Sequence, residues 1–242
     1  CRLPNNWIKN IELKINELTP VLLVQPVLTC TGTSLLSKFQ YYDGLSLVAL
    51  NLAFYAKKGS PLLASGANLV YNKKSFESAG AYFGNMNIAS GDDMFLLAAF
   101  KQKFNSGLHL NYANDVLVKT RAEKKWNALI VQRIRWVRKM KHLVNNRANS
   151  LGLIAVSVQV LFLFILIAGF FNPIYFYYFL VLWGLKAGVD YRLIRKGARA
   201  LNQKTTFLTF FILEPIYMVF VPLVTILSLF INPEWKGRKT ST

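Results

Sequence analysis

Two stretches of this chain combine residue types that do chemistry. The first is Ser90-Gly91-Asp92-Asp93-Met94-Phe95-Leu96-Leu97. Ser90 suits a helix N-cap, and acids in a first turn suit the helix dipole. A carboxylate beside a glycine-flanked loop can also act as a general base, provided a hydroxyl comes within about 2.6–3.2 Å. Both readings stand on this motif. The second stretch is Gln132-Arg133-Ile134-Arg135-Trp136. On a helix, Gln132, Arg135, Trp136 and Lys139 fall at i, i+3, i+4 and i+7 and share one face. A planar amide, a guanidinium and an indole on one face can hold a phosphate and stack on a sugar ring or a base. The bland alternative is a juxtamembrane basic helix that binds anionic headgroups, since residues 119–147 hold ten Lys or Arg against one acid, Glu123.

The elements around these motifs must position them. Pro20 to Thr29 is a short apolar run bounded by prolines, compatible with a buried strand. Residues 35–56 read as a helix, either lying at a membrane surface with Lys57-Lys58 at the rim or packed in a core. Leu62 to Asn72 reads as a strand interrupted by Ser65-Gly66-Ala67-Asn68. Gly66 there permits close backbone approach to a ligand, or a bulge. Lys74 to Gly80 reads as a short helical turn, and residues 123–142 as a helix.

Residues 151–171 are 21 residues without a charge, and a bilayer core needs about 20 in a helix. Asn172-Pro173 makes a turn, and residues 174–189 return, rich in Tyr, Phe and Trp, with Lys186 near the end. The stretch from Asp190 to Lys204 carries Arg192, Arg195, Lys196, Arg199 and Lys204 and reads as a cytoplasmic loop. Residues 206–231 are apolar except for Glu214-Pro215, which would kink a helix or divide it into a re-entrant turn. The basic tail wants the cytoplasm, and a single crossing at 206–231 would put it outside, so the re-entrant form is expected. The domain division is then 1–150, polar and mixed in pattern, and 151–242, a membrane domain of two to three helices.

The whole-chain arithmetic agrees. Of 242 residues, 53% are hydrophobic and 17% charged, and the formal net charge is +18. A soluble domain has about 45–50% apolar and about 25% charged residues. Disordered, collagen-like and disulfide-stapled chains are excluded, and an ordinary soluble enzyme is disfavoured. A chain both apolar and basic is expected to meet anionic lipid. Nucleic acid is the other usual partner of such charge, and none is expected here. Two cysteines, Cys1 and Cys30, and two histidines, His109 and His142, give no zinc spacing and need no disulfide framework.

Taken together, the motifs resemble the membrane-associated family 2 glycosyltransferases. Ser65-Gly66-Ala67-Asn68 is similar to the family's glycine-containing strand beside the acceptor, Gly91-Asp92-Asp93 to its acidic motif, and Gln132-Arg133-Ile134-Arg135-Trp136 to its Q(Q/R)xRW motif. Trp235-Lys236-Gly237-Arg238 looks like the basic end of many members. The resemblance implies an α/β fold plus transmembrane helices: the C-terminal part of a Rossmann-like (GT-A type) catalytic domain, followed by membrane helices.

It also implies inverting transfer of a sugar from a nucleotide-sugar donor to a lipid-linked or glycan acceptor, in polysaccharide or glycolipid biosynthesis. Asp93 would be the general base and Asp92 an orienting acid. Arg135, with Arg133, would face the leaving diphosphate; Trp136 would be an acceptor platform, and Gln132 and Gly66 would be substrate contacts. A divalent metal, Mg or Mn, is implied as well. Its Asp-x-Asp ligands would lie outside this chain, because Cys1-Arg2-Leu3-Pro4-Asn5-Asn6-Trp7 resembles the stretch that follows them. The chain is therefore expected to be the later part of something longer and inactive alone. It is expected in the cell or inner membrane, catalytic part cytoplasmic. The competing readings are a non-catalytic membrane-anchored basic binding protein and a transporter subunit using Glu214 and Lys186.

Overall fold

A computed structural model describes residues 1–80, 91–141, 147–235 and 238–239. Helix α1 (Trp7–Leu18) is followed by two short strands, β1 (Leu22–Val24) and β2 (Val27–Thr29), separated by Pro26. Proline has no N–H for a ladder, so the apolar run becomes two strands rather than one. β1 pairs antiparallel with β3 (Leu69–Tyr71) and parallel with β4 (Leu108–Leu110). β2 pairs in parallel with β5 (Val118–Thr120). Every residue of β1 is buried, as expected for a strand covered on both faces. Helix α4 (Asp92–Lys103) covers this layer, packing Phe95, Leu97 and Phe100 with Leu22, Val24 and Leu108. Between β3 and α4 lies the short helix α3 (Lys73–Ala79), closed by Gly80 in the left-handed region. Only residues 69–71 of the expected strand at 62–72 pair. The preceding loop is held instead by Asn51, whose Oδ1 accepts the Leu62 and Leu63 N–H groups.

Helix α2 (Leu35–Lys58) is the hub. Ser34 caps it by accepting the Ser37 N–H at 3.2 Å, and Lys57 and Lys58 sit in its last turn, where cations suit the dipole. It is a core helix, not one lying on a membrane surface: Leu36, Phe39, Tyr41, Tyr42, Leu45 and Ala49 are all buried. Its polar side chains reach three other segments. Gln40 exchanges two hydrogen bonds with the backbone of Glu123, just before helix α5 (Trp126–Lys141). Tyr41 donates to the Lys204 carbonyl, and Tyr42 both donates to and accepts from the backbone of Thr206.

From residue 147 onward three long helices follow: α6 (Arg147–Ala168), α7 (Ile174–Ala200) and α8 (Phe207–Phe230). Two of them, α6 and α8, are long and apolar enough to cross a membrane by length and composition. In α6 only Gln159 and Phe162 are buried. At the α6–α7 turn Phe170 and Phe171 are 77% and 86% exposed. Apolar surface this extensive needs a partner, and lipid is one that fits its length.

Two expectations are corrected. Residues 190–200 are not a loop; they continue α7 as helix. Ile194, Gly197, Ala198 and Leu201 recur at i, i+3, i+4 and i+7 and bury against α2, while the basic residues between them stay outside. The contact is close: a Cβ on Gly197 would stand 2.7 Å from the Ala49 Cβ. Nor is 206–231 a re-entrant turn. α8 runs unbroken through Pro215 and Pro222. Both of its ends are tied to the polar part: Thr206 to Tyr42, and the Ser228 and Ile231 carbonyls to the Arg138 guanidinium at 2.9 and 3.4 Å. A cation on the last carbonyls of a helix satisfies groups the helix itself cannot. Of the basic end, Lys236 and Gly237 lie outside the described residues, and Glu234–Trp235 pairs antiparallel with Arg238–Lys239.

Candidate active site

The acidic motif opens α4. Ser90, the expected cap, lies outside the described residues; the residue at the cap is Gly91, with φ 114°. That conformation favours glycine. A Cβ there would also meet Phe95 Cε2 at 3.0 Å and Lys139 Cδ at 3.3 Å. The turn so made puts Asp92 outside, exposed, and Asp93 inside, its side chain 18% exposed.

Three groups hold the Asp93 carboxylate. Its Oδ2 accepts the Gly66 N–H at 3.1 Å. Its Oδ1 takes the Lys139 ammonium at 3.1 Å and its neighbour's Met94 N–H at 2.8 Å. A carboxylate has about four lone-pair positions, so one remains for an incoming hydroxyl. Gly66 contributes its backbone N–H to Asp93, a contact within the protein rather than the approach to a ligand that the sequence suggested. A Cβ on Gly66 would make only an ordinary contact, 3.9 Å from Asp93 Cβ. The loop is fixed by Asn68, buried, whose Nδ2 donates to Pro26 O and Val116 O while its Oδ1 accepts from Trp7 Nε1.

The basic motif lies on α5. Gln132, Trp136 and Lys139 line one cleft with Asp93, while Arg135, the i+3 member of the same expected face, does not. Arg133, one position off that face, reaches it too. Its guanidinium pairs with Asp43 of α2, donates to Gln132 Oε1 at 2.9 Å, and lies over the Trp136 ring, Cζ 4.0 Å from the centroid. Gln132 in turn donates to Glu123 Oε1 at 3.1 Å. Glu123, Gln132, Arg133 and Asp43 therefore form one hydrogen-bonded chain under the Trp136 indole. Arg135 is half-buried. Burial pulls its guanidinium below the ordinary value, while the charges of Asp93 and Glu123 work against that. A guanidinium stays protonated through such shifts.

Sequence reasoning did not nominate Asp43 or Lys139 as partners. Lys139 was legible as the i+7 member of the Gln132 face. Asp43 carried no signal, because the pair spans 90 positions.

The cleft has a volume of about 1010 Å³. That is the upper end of the usual range for small-molecule sites, about 300–1,000 Å³. It continues from Asp93 along α6, past Gln159, to Lys186 and Glu214 between α7 and α8. Lys186 pairs there with Glu214 and with Asp190, the latter at 2.7 Å.

The residues do not fit a divalent metal. Among the described residues no group of three or more His, Cys, Asp or Glu can hold one. Asp93 is engaged by an ammonium and two amides, and Asp92 is exposed. No step below runs through a metal.

A mixed α/β layer carries a held carboxylate, with cations on the next helix and a wide cleft between. The sequence model of the glycosyl transferase family group 2 matches residues 10–190, and the chain belongs to this family. No curated protein and no solved structure matches the chain.

Proposed function

We propose that this protein transfers a sugar, with inversion, from a nucleotide-sugar donor to the hydroxyl of a lipid-linked or glycan acceptor, with Asp93 as the general base. The observation that carries the reading is the seat of Asp93. It opens a helix on a cleft, held from two sides by the Gly66 amide and Lys139, with one lone-pair position unused.

The acceptor hydroxyl is a poor nucleophile until it loses its proton. Asp93 takes that proton as the oxygen bonds to the anomeric carbon, and the nucleoside diphosphate leaves from the opposite face. The departing diphosphate gains negative charge. Lys139 is a cation already fixed on the cleft, and such a charge stabilises a transition state without reorganising; Arg135, half-buried on the same helix, is not among the residues that line the cleft. Arg133 is spent on Asp43 and on the underside of Trp136, so its part is to hold that indole as a platform for the acceptor ring. Gln132 holds the same frame through Glu123. Any divalent ion of the family would need ligands other than these residues.

The membrane setting belongs to the same proposal. The α6–α7 pair enters the bilayer with Phe170 and Phe171 at its tip. α8, tied to the polar part at both ends, lies along it, so the basic tail stays on the cytoplasmic side with the catalytic part. This removes the conflict that a crossing at 206–231 would create with the positive-inside tendency.

The test is Asp93→Asn in the membrane-embedded full-length protein, with a screen of nucleotide sugars. Transfer should be abolished, a loss of at least a thousandfold, while membrane insertion is kept and the unfolding midpoint falls only by what the lost Lys139 pair contributes. Turnover retained within tenfold would remove Asp93 as the base.

A further inference from the structure

Among the described residues two carboxamides in this cleft carry unpaired groups, the whole amide of Gln25 and the NH2 of Asn111, and they stand at the carboxyl ends of neighbouring parallel strands. Gln25 follows β1 and Asn111 follows β4. Both line the cleft that holds Asp93. Gln25 is 2% exposed and Asn111 6%. Neither Gln25 Oε1 nor Gln25 Nε2 has a hydrogen-bond partner among the described residues, and neither has Asn111 Nδ2. Asn111 is nevertheless oriented, because its Oδ1 accepts the Ala113 N–H at 3.2 Å and leaves the NH2 group unpaired.

A whole carboxamide withdrawn from water without a partner is unfavourable, and native interiors keep few of them. One such group, with a second unpaired NH2 beside it on the same cleft, indicates a ligand that supplies the missing bonds. The carboxyl ends of parallel strands are where open α/β sheets take their ligands.

The place relative to Asp93 is fixed by backbone bonds. Gly66 donates to Asp93, and two residues on, the Asn68 carbonyl accepts the Gln25 N–H at 3.2 Å. The Asn111 N–H donates to Val24 O, the residue before Gln25. The two amides therefore belong to the loop network that seats the base. Both are neutral, which suits hydroxyls rather than phosphates: a ring hydroxyl donates and accepts, and a carboxamide answers both. Tyr112, next in the chain and 48% exposed, lines the same cleft and offers an aromatic face of the kind that packs on pyranose rings.

We propose that Gln25 and Asn111 form a neutral subsite that binds the ring hydroxyls of a hexopyranose beside Asp93. The inference rests on the transferase reading of that site and adds the group that recognises the sugar. The ring belongs either to the donor or to the acceptor, and the experiment separates them.

The membrane-embedded full-length protein is titrated, by saturation-transfer NMR, with UDP-glucose, UDP-N-acetylglucosamine and GDP-mannose, with UDP and GDP alone, and with the methyl glycosides of the same hexoses. Gln25→Met and Asn111→Leu keep side-chain volume and remove the amide. Each should weaken hexose binding about tenfold, roughly one hydrogen-bonding group's worth. UDP and GDP binding should be unchanged. A loss confined to methyl glycosides assigns the acceptor ring, and one confined to the sugar protons of the nucleotide sugars assigns the donor ring. Gln25→Met should also keep or raise the unfolding midpoint, since it removes an unpaired buried group. Hexose binding equal to that of the unaltered protein overturns the proposal, as does a loss that appears with UDP or GDP alone. A lowered midpoint in Gln25→Met overturns it as well, because the amide would then be structural. An unaltered protein that binds none of the sugars defeats the transferase reading and this inference with it.

Discussion

The Lys139 ammonium lies 3.1 Å from the Asp93 carboxylate, with both side chains largely buried, at 13% and 18% exposure. The contact joins the two motifs that the sequence keeps 46 positions apart. It gives the basic helix α5 a role beyond charge: one of its lysines sets the orientation of the proposed base. Lys139 Nζ is also 6.0 Å from the Trp136 ring centroid, so the cation touches the base and the platform together.

Replacing Lys139 by Met should lower transfer and destabilise the fold by about 1.5–3 kcal/mol, the range for losing a hydrogen bond to a charged group. In the Asp93→Asn background the same change should cost markedly less, because the buried charge it answers is gone. Chemical unfolding of the four proteins in one detergent gives the coupling. Additive losses would show that the pair is not energetically joined.

Glu214 is 3% exposed and depends on Lys186, which also meets Asp190. Breaking a buried pair from one side leaves an uncompensated charge and costs about 3–5 kcal/mol. Lys186→Met alone should therefore destabilise strongly. Lys186→Met with Glu214→Leu should recover most of the loss, since an apolar pair of similar volume needs no partner. Thermal unfolding reads both.

The α2–α7 crossing rests on the absence of a side chain. Gly197→Ala would bring its Cβ to 2.7 Å from Ala49 Cβ, closer than carbon atoms tolerate. The helices must separate, and overpacking of this kind costs about 1–3 kcal/mol. Ala49→Gly should restore part of the stability of Gly197→Ala. The rescue should be incomplete, because the new Cβ would still stand 2.9 Å from the Ala49 Cα; a full rescue would mean that the two backbones are not held as close as this.

Burial, with a smaller contribution from neighbouring Tyr42, pushes the Tyr41 hydroxyl up from 10.0 to about 12. It donates to the Lys204 carbonyl. In the unfolded chain this phenol ionises near pH 10, while in the folded protein it stays protonated. The folded state then binds more protons than the unfolded one, so stability falls as pH rises from about 10 to about 12. Tyr41→Phe should remove that part of the alkaline slope. The slope of unfolding free energy against pH, compared between the two proteins, checks it.

Much of this protein was legible in its residues. Periodicity at i, i+4 and i+7 placed Gln132, Trp136 and Lys139 on one face, while Arg135 at i+3 does not line the cleft. The length of the uncharged run at 151–171 marked α6, whereas the run at 20–29, read as one strand, is two strands divided at Pro26. The helix through 190–200 was written in the same way, in Ile194, Gly197, Ala198 and Leu201. The density of basic residues hid it, because charge suggests a loop while spacing says helix.

Other features belong to the tertiary structure alone. Periodicity and capping depend on neighbours a few positions away, so a sequence carries them openly. The pairing of Arg133 with Asp43 depends on where α2 places a carboxylate relative to α5. The tethering of α8 at both ends depends on Tyr42 and Arg138 arriving from different helices. The orphaned amides of Gln25 and Asn111 exist only because two distant strands end side by side. The residues alone showed several of the helices, the long uncharged run and the chemistry on the α5 face, and left α1 and the helix through 190–200 unread. Which faces meet was decided by packing, since a buried contact is specified by the shapes and charges of both partners, and no local pattern contains the second one.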